Sequence, residues 1–235
     1  MEISRMSERG MASAESDRRG FLRGTAAAVA AAGTGVLFSG TTYAVQAYSQ
    51  TGKIASGKIP LPPVGTNIPC SMYAANVPLK LNALGALTLD FKGGINLHVR
   101  SSNTDGLTLE VVEFRVEADT SPSTPNSGTV FVLKRSNASL APLSTVTADG
   151  QAFLRIPLTV ATVDKATEQE TAIASSDPAK YATLSAQNTK AFPPVNQHYG
   201  LREPVAFYAP GGSAEQGSEV LGGLEGFDVI VNHAQ

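Results

Sequence analysis

The sequence predicts an all-β domain: an antiparallel β-sandwich, immunoglobulin-like or jelly-roll-like, or a closely related barrel, with about eight strands and one short helix. Three observations carry this. Apolar and polar residues alternate with a period of two through most of the chain beyond residue 76, as half-buried strands require. Asp-Gly pairs at 105–106 and 149–150 each precede such a run, as tight turns between strands do. Only one stretch carries a helix-start signal.

The elements follow in chain order. Residues 48–69 are rich in Gly, Pro, Ser and Thr, and Pro60, Pro62 and Pro63 disfavour both helix and central strand, so this is an extended arm before a domain at 70–235. Val77, Leu79 and Leu81 then share one face of a strand. Leu87, Leu89 and Phe91 share another, and Ile95, Leu97 and Val99 a third, leaving Asn96, His98 and Arg100 outward. Residues 106–119 contain a parity change. Leu107, Leu109 and Val111 lie on one face and Val112, Phe114 and Val116 on the other, so one inserted residue, a β-bulge or a crossing between sheets, is expected at Val111–Val112. Residues 120–128 form a loop by composition, and 129–135 a strand. In 151–163, Leu154, Ile156, Leu158 and Val160 point one way. Pro157 has the opposite parity and no N–H, which places this strand at an edge or at a bulge. Asp177 as cap and Pro178 as first residue predict a helix over 178–187. Residues 204–209 and 227–234 supply the last strands, and the Gly-rich stretch 210–226 between them reads as a mobile loop.

Residues 1–47 have a different character. Arg18 and Arg19 stand together, followed by Gly20, Phe21, Leu22 and Arg23. No charged side chain then occurs before Lys53, and Ala, Gly and Thr dominate the intervening apolar run. A basic head, an apolar middle and a small-residue exit make an export signal. The stretch Arg18, Arg19, Phe21, Leu22, Arg23 closely resembles the twin-arginine signal peptide, with Asp17 where that pattern prefers Ser or Thr. The resemblance covers about the first fifth of the chain. It implies a bacterial, archaeal or plastid origin, folding before export, and a secreted, periplasmic or wall-associated destination. Cleavage is expected after Ala47, with Ala44 as the alternative, so that membrane contact is confined to the signal peptide.

Composition narrows the function. The chain has 18 basic and 20 acidic side chains, dispersed without a basic stripe, which argues against nucleic acid as a partner. Trp is absent, which slightly disfavours sugar stacking. Cys70 is the sole cysteine, so no intrachain disulfide forms, and the expectation is a buried small hydrophobe. No Gly-x-Ser-x-Gly elbow occurs, and the glycine-rich stretches lack the lysine and strand–loop–helix setting of a phosphate loop. His98, His198 and His233 are too widely spaced to form a local metal motif. Glu113, Arg115 and Glu117 share a polar strand face, which reads as a solvated row with cross-strand partners rather than an acid/base pair. The sequence therefore points to an exported protein with no catalytic residues and no cofactor. Its role is binding, structural or accessory, and its partner an undefined protein or small molecule. The alternatives are a hydrolase with a loop-assembled site and a metal-binding protein folded before export.

Overall fold

The computed structural model describes residues 61–120, 128–137 and 142–233. Arg18, Arg19, Phe21, Leu22, Arg23 and Ala47, most of the arm, and the centre of the 120–128 loop lie outside the described residues.

Among the described residues, thirteen strands form one antiparallel sheet. Three are long: β1 (Asn67–Leu81), β2 (Gly85–Asn103) and β3 (Gly106–Asp119). Ten shorter strands follow. They are β4 (Thr129–Arg135), β5 (Leu143–Thr147), β6 (Ala152–Ile156), β7 (Leu158–Asp164), β8 (Glu170–Ser176), β9 (Ala182–Ala186), β10 (Gln197–Leu201), β11 (Val205–Tyr208), β12 (Val220–Leu224) and β13 (Val229–Asn232).

The sheet closes on itself twice. Leu79–Leu81 of β1 pair with β12, completing a first ring of β1, β2, β3, β4, β7, β8, β11 and β12. Ser71–Tyr73 of β1 pair with β13, and Gly106–Glu110 of β3 pair with β5. These complete a second ring of β1, β2, β3, β5, β6, β9, β10 and β13. The chain thus makes eight up-and-down passes. Three are unbroken, and the other five are each split into one strand for either ring. Neighbouring passes are neighbours in sequence, as in an up-and-down barrel, and a waist separates the two rings.

All-β architecture and antiparallel pairing agree with the sequence; the eight-stranded sandwich does not. Alternation shows that one face of each strand is buried, and a sandwich and a barrel meet that demand equally. The pairings that decide between them, β1 with β12 and β3 with β5, join residues far apart in sequence. The helix at 178–187 is a second correction. Asp177 does cap, its Oδ1 accepting the Ala179 N–H at 2.8 Å, but it caps one turn, and 182–186 are β9, paired with β6. Among the described residues there is no helix. The glycine-rich stretch 210–226 is the third correction, since it contains β12.

The waist is built from breaks in the passes. Pro157 separates β6 from β7, at the position where the sequence marks an irregularity, and both its neighbours are buried. Phe114, Leu133, Ile156, Leu158, Leu184 and Phe227, drawn from both rings, meet there around a void of only about 10 Å³. Phe91 and Phe227 pack edge to face with ring centroids 6.3 Å apart. β2 runs straight through Gly93, where a Cβ would overlap the Arg115 carbonyl oxygen and lie 2.6 Å from Val116 Cα. The sequence reading divides β2 at this point; glycine instead lets β3 approach.

β3 contains the expected bulge. Asn96 faces Glu113 and Leu97 faces Val111, leaving Val112 as the extra residue. The inward faces of both rings are apolar, whereas Lys80, Asp90, Lys92, Arg100 and Glu117 face out and are exposed. That polarity is the inverse of a membrane-spanning barrel, whose outer band is apolar.

Candidate functional site

The two rings are filled differently. In the second, Tyr199, Phe192, Ile68, Leu97, Leu109 and Leu154 are large and fully buried. In the first, small inward residues are interspersed with large ones. Ala118 pairs with Phe131, Ala174 with Val160, and Gly222 with Leu81. A cavity of about 660 Å³ opens at the end of the first ring. The lining is mainly apolar, with Leu81, Leu84, Leu87, Phe131, Ile173 and Leu221 on the wall. One inward step below Phe131 stands Leu133, already at the packed waist.

Local features bring these side chains to the wall. A register shift between Val160 and Ala161 opposite β8 lets the adjacent residues Ile173 and Ala174 both line the cavity. At Gly222 a Cβ would overlap the Lys80 carbonyl oxygen and reach Leu81 Cα at 3.0 Å, so glycine permits the approach of β12 that closes the ring. Leu84 and Val220 are exposed at 53% and 46%, giving the mouth an apolar rim. Volume and lining fall in the range of small-molecule sites, which favour barrel mouths.

A second concavity of about 390 Å³ lies outside the rings, against Asp177, Lys180, Tyr181, Arg202, Glu203 and Tyr208. Its central carboxylate is committed to backbone. Asp177 accepts the N–H groups of Ala179 at 2.8 Å and Ala214 at 3.0 Å, holding the 209–219 connection to the β8–β9 turn. Arg202 sits over the Phe153 ring at 5.5 Å. These groups have structural partners, and the cavity in the first ring is the better candidate.

The residues weighed in the sequence are scattered. Cys70 is buried, its Sγ–H directed at the Ile68 carbonyl at 3.9 Å, and burial pushes its thiol pKa up to about 12. Burial, followed by the nearby Cys70, also raises the Tyr199 phenol, whose hydroxyl has no hydrogen-bond partner. His98 Nδ1 bonds to Asn67 Oδ1 at 2.7 Å, His233 Nδ1 donates to the Pro69 carbonyl at 2.7 Å, and His198 is exposed. Among the described residues no three His, Cys, Asp or Glu side chains gather into a metal-binding group.

Arg115 has charged partners, but neither lies on a strand paired with β3, where Lys134 is directly opposite. Arg115 pairs with Glu117 at 2.7 Å and with Glu170 of β8 at 2.7 Å, and Glu170 also holds Lys134. Partial burial pushes the Glu170 carboxyl up, but hydrogen bonds from Lys134 and Arg115 outweigh this and hold it below its ordinary range. Asn96 has the outward parity expected of it but is buried at the waist, with Oδ1 unpartnered.

Leu81 and Leu87 on the wall of the first ring are strand-face residues in the sequence reading, but no wall residue is a functional candidate there. One signal was present: Leu81, Leu87, Phe131 and Ala174 stand in apolar strand segments. Reading it requires the pairing that makes these positions neighbours.

No family model matches the sequence, and no curated protein matches it. Among solved structures, the chain is similar to DynF from the dynemicin biosynthesis pathway of Micromonospora chersina. The TM-score is 0.51 at 8% identity, over 82% of this chain and 90% of that one. At that identity the likeness concerns the fold alone.

Proposed function

We propose that the chain is an exported, non-catalytic binding protein that takes a small apolar molecule into the mouth of its first ring. The observation that carries this is the 660 Å³ apolar cavity. It is open at one end and floored by a packed waist, with Thr162 and Ala174 on its wall. Exposed Leu84 and Val220 at the rim support the same reading, since an apolar edge eases entry of an apolar guest. The twin-arginine resemblance of Arg18–Arg23 supports an extracytoplasmic place of action. A barrel closed by hydrogen bonds, with one buried cysteine, needs no oxidising compartment to fold.

The test is fluorescence titration of the full chain with the neutral apolar probe N-phenyl-1-naphthylamine. Saturable binding of one probe per chain is expected. Ala174→Trp and Thr162→Phe, each adding bulk to the cavity wall, should abolish it while leaving thermal unfolding cooperative. Absence of saturable binding, or binding that both variants retain, overturns the proposal.

A further inference from the structure

We infer that the first-ring mouth selects amphiphiles whose polar end donates hydrogen bonds or carries positive charge, and disfavours anionic ones such as fatty carboxylates. This rests on the apolar-ligand reading above and assigns its head-group chemistry.

The charge on the lining is one-sided. Glu219 is exposed on the cavity wall, and no lysine or arginine lines it. The β7–β8 connection at this end adds Glu168, and its lysine, Lys165, is engaged with Asp119 at 2.7 Å. The neutral polar groups point the same way. Asn82 spends a side-chain N–H on the Val220 carbonyl at 2.8 Å, and the Thr120 hydroxyl donates to the Thr129 carbonyl at 2.7 Å. These bonds leave the Asn82 amide oxygen, the Thr120 hydroxyl oxygen and the Glu219 carboxylate as acceptors around an apolar well, against neutral donors only, the second Asn82 N–H and the Thr129 and Thr162 hydroxyls. An ammonium or hydroxyl head supplies the missing donors. A carboxylate head brings more acceptors and meets Glu219 as a like charge.

The experiment is displacement of N-phenyl-1-naphthylamine from the full chain by dodecylamine, dodecanol and dodecanoate at neutral pH and low salt, each below its aggregation threshold. Dodecylamine should displace the probe at concentrations about threefold to tenfold lower than dodecanoate, in keeping with a partly exposed charge pair. The preference should shrink in high salt, shrink in Glu219→Gln, and reverse in Glu219→Lys. Equal or better displacement by dodecanoate, or a preference that Glu219→Gln retains, overturns the inference while the cavity reading stands. Failure of the probe itself to bind overturns the cavity reading first.

Discussion

Leu109 and Phe114 lie five residues apart on β3, so a regular strand would point them to opposite faces, yet both are buried, at 0% and 2% exposure. Val112, the residue inserted between them, takes the solvent side at 37%. The bulge keeps one apolar face continuous from the second ring to the waist. A regular strand would instead expose one apolar set, at roughly 1.5–3 kcal/mol per large side chain. Leu109→Ala and Phe114→Ala should each destabilise the fold by about 2–5 kcal/mol. Val112→Thr should fall within about 0.5 kcal/mol of the parent. Denaturant unfolding of the three variants decides it, and a near-neutral result for either buried position contradicts a core that follows the bulge.

Gly93 and Gly222 sit where backbone meets backbone, so a side chain at either has nowhere to go. At Gly93 the obstacle is β3 itself; at Gly222 it is β1, across the seam that closes the first ring. Neither obstacle is the flexible end of a side chain. Gly93→Ala and Gly222→Ala should each cost about 1–3 kcal/mol, the range of overpacking. Gly226→Ala is the control, because its Cβ would meet only Pro78 Cγ at an ordinary 3.7 Å. Gly222→Ala should also weaken probe binding, since the seam borders the cavity through Leu81 and Leu221. Unfolding midpoints and probe titration measure both effects.

The local chemistry of the fold was legible wherever one residue's surroundings are its sequence neighbours. Alternation found the inward faces of β2, of β3 and of Val77–Leu81 in β1, the parity change found the bulge at Val112, and Pro157 marked the β6–β7 break; the first part of β1, whose Asn67–Pro69 fall in the expected arm, was not seen. What escaped depended on distant partners. β12 carries Gly222 and Gly223 and looks like a loop until β1 is laid against it. β9 follows a true cap at Asp177, and local rules cannot say that one turn is enough before β6 claims Ala182–Ala186 as a partner. The cavity was illegible for the same reason. Leu81, Phe131 and Ala174 belong to three strands, and they become neighbours around one cavity only once the ring is closed.

The twin-arginine proposal makes a prediction independent of the barrel. Replacing Arg18 and Arg19 together by Lys keeps the charge but removes the paired guanidinium groups on which the resemblance rests. Export from a host with an intact twin-arginine pathway should fall by at least tenfold, with precursor accumulating in the cytoplasm. N-terminal sequencing of exported parent protein should begin at Tyr48, after Ala47. Undiminished export of the double variant, or an exported protein that retains Arg18, removes the assignment.

Stability should also fall at high pH, and the sign follows from Cys70 and Tyr199. Burial raises the thiol to about 12 from an ordinary 9.0. The Tyr199 phenol is likewise raised by burial, with the neighbouring thiol adding to the effect. Above about pH 9 the unfolded chain releases the Cys70 proton while the folded chain keeps it, and the phenol follows above about pH 10. The unfolded state then binds fewer protons, so the free energy of unfolding decreases with pH. The slope approaches about 1.4 kcal/mol per pH unit for each group and flattens for Cys70 as pH nears its folded value. Below pH 9 both contributions are fully present. Urea unfolding between pH 7 and 11 should show this decline, and Cys70→Val and Tyr199→Phe should each make it shallower. Tyr199→Phe should cost little at pH 7, because the hydroxyl it removes is buried without a partner. A stability profile that stays level from pH 8 to 11 in the parent, or a slope unchanged in both variants, contradicts the assignment of that proton uptake to the interior of the second ring.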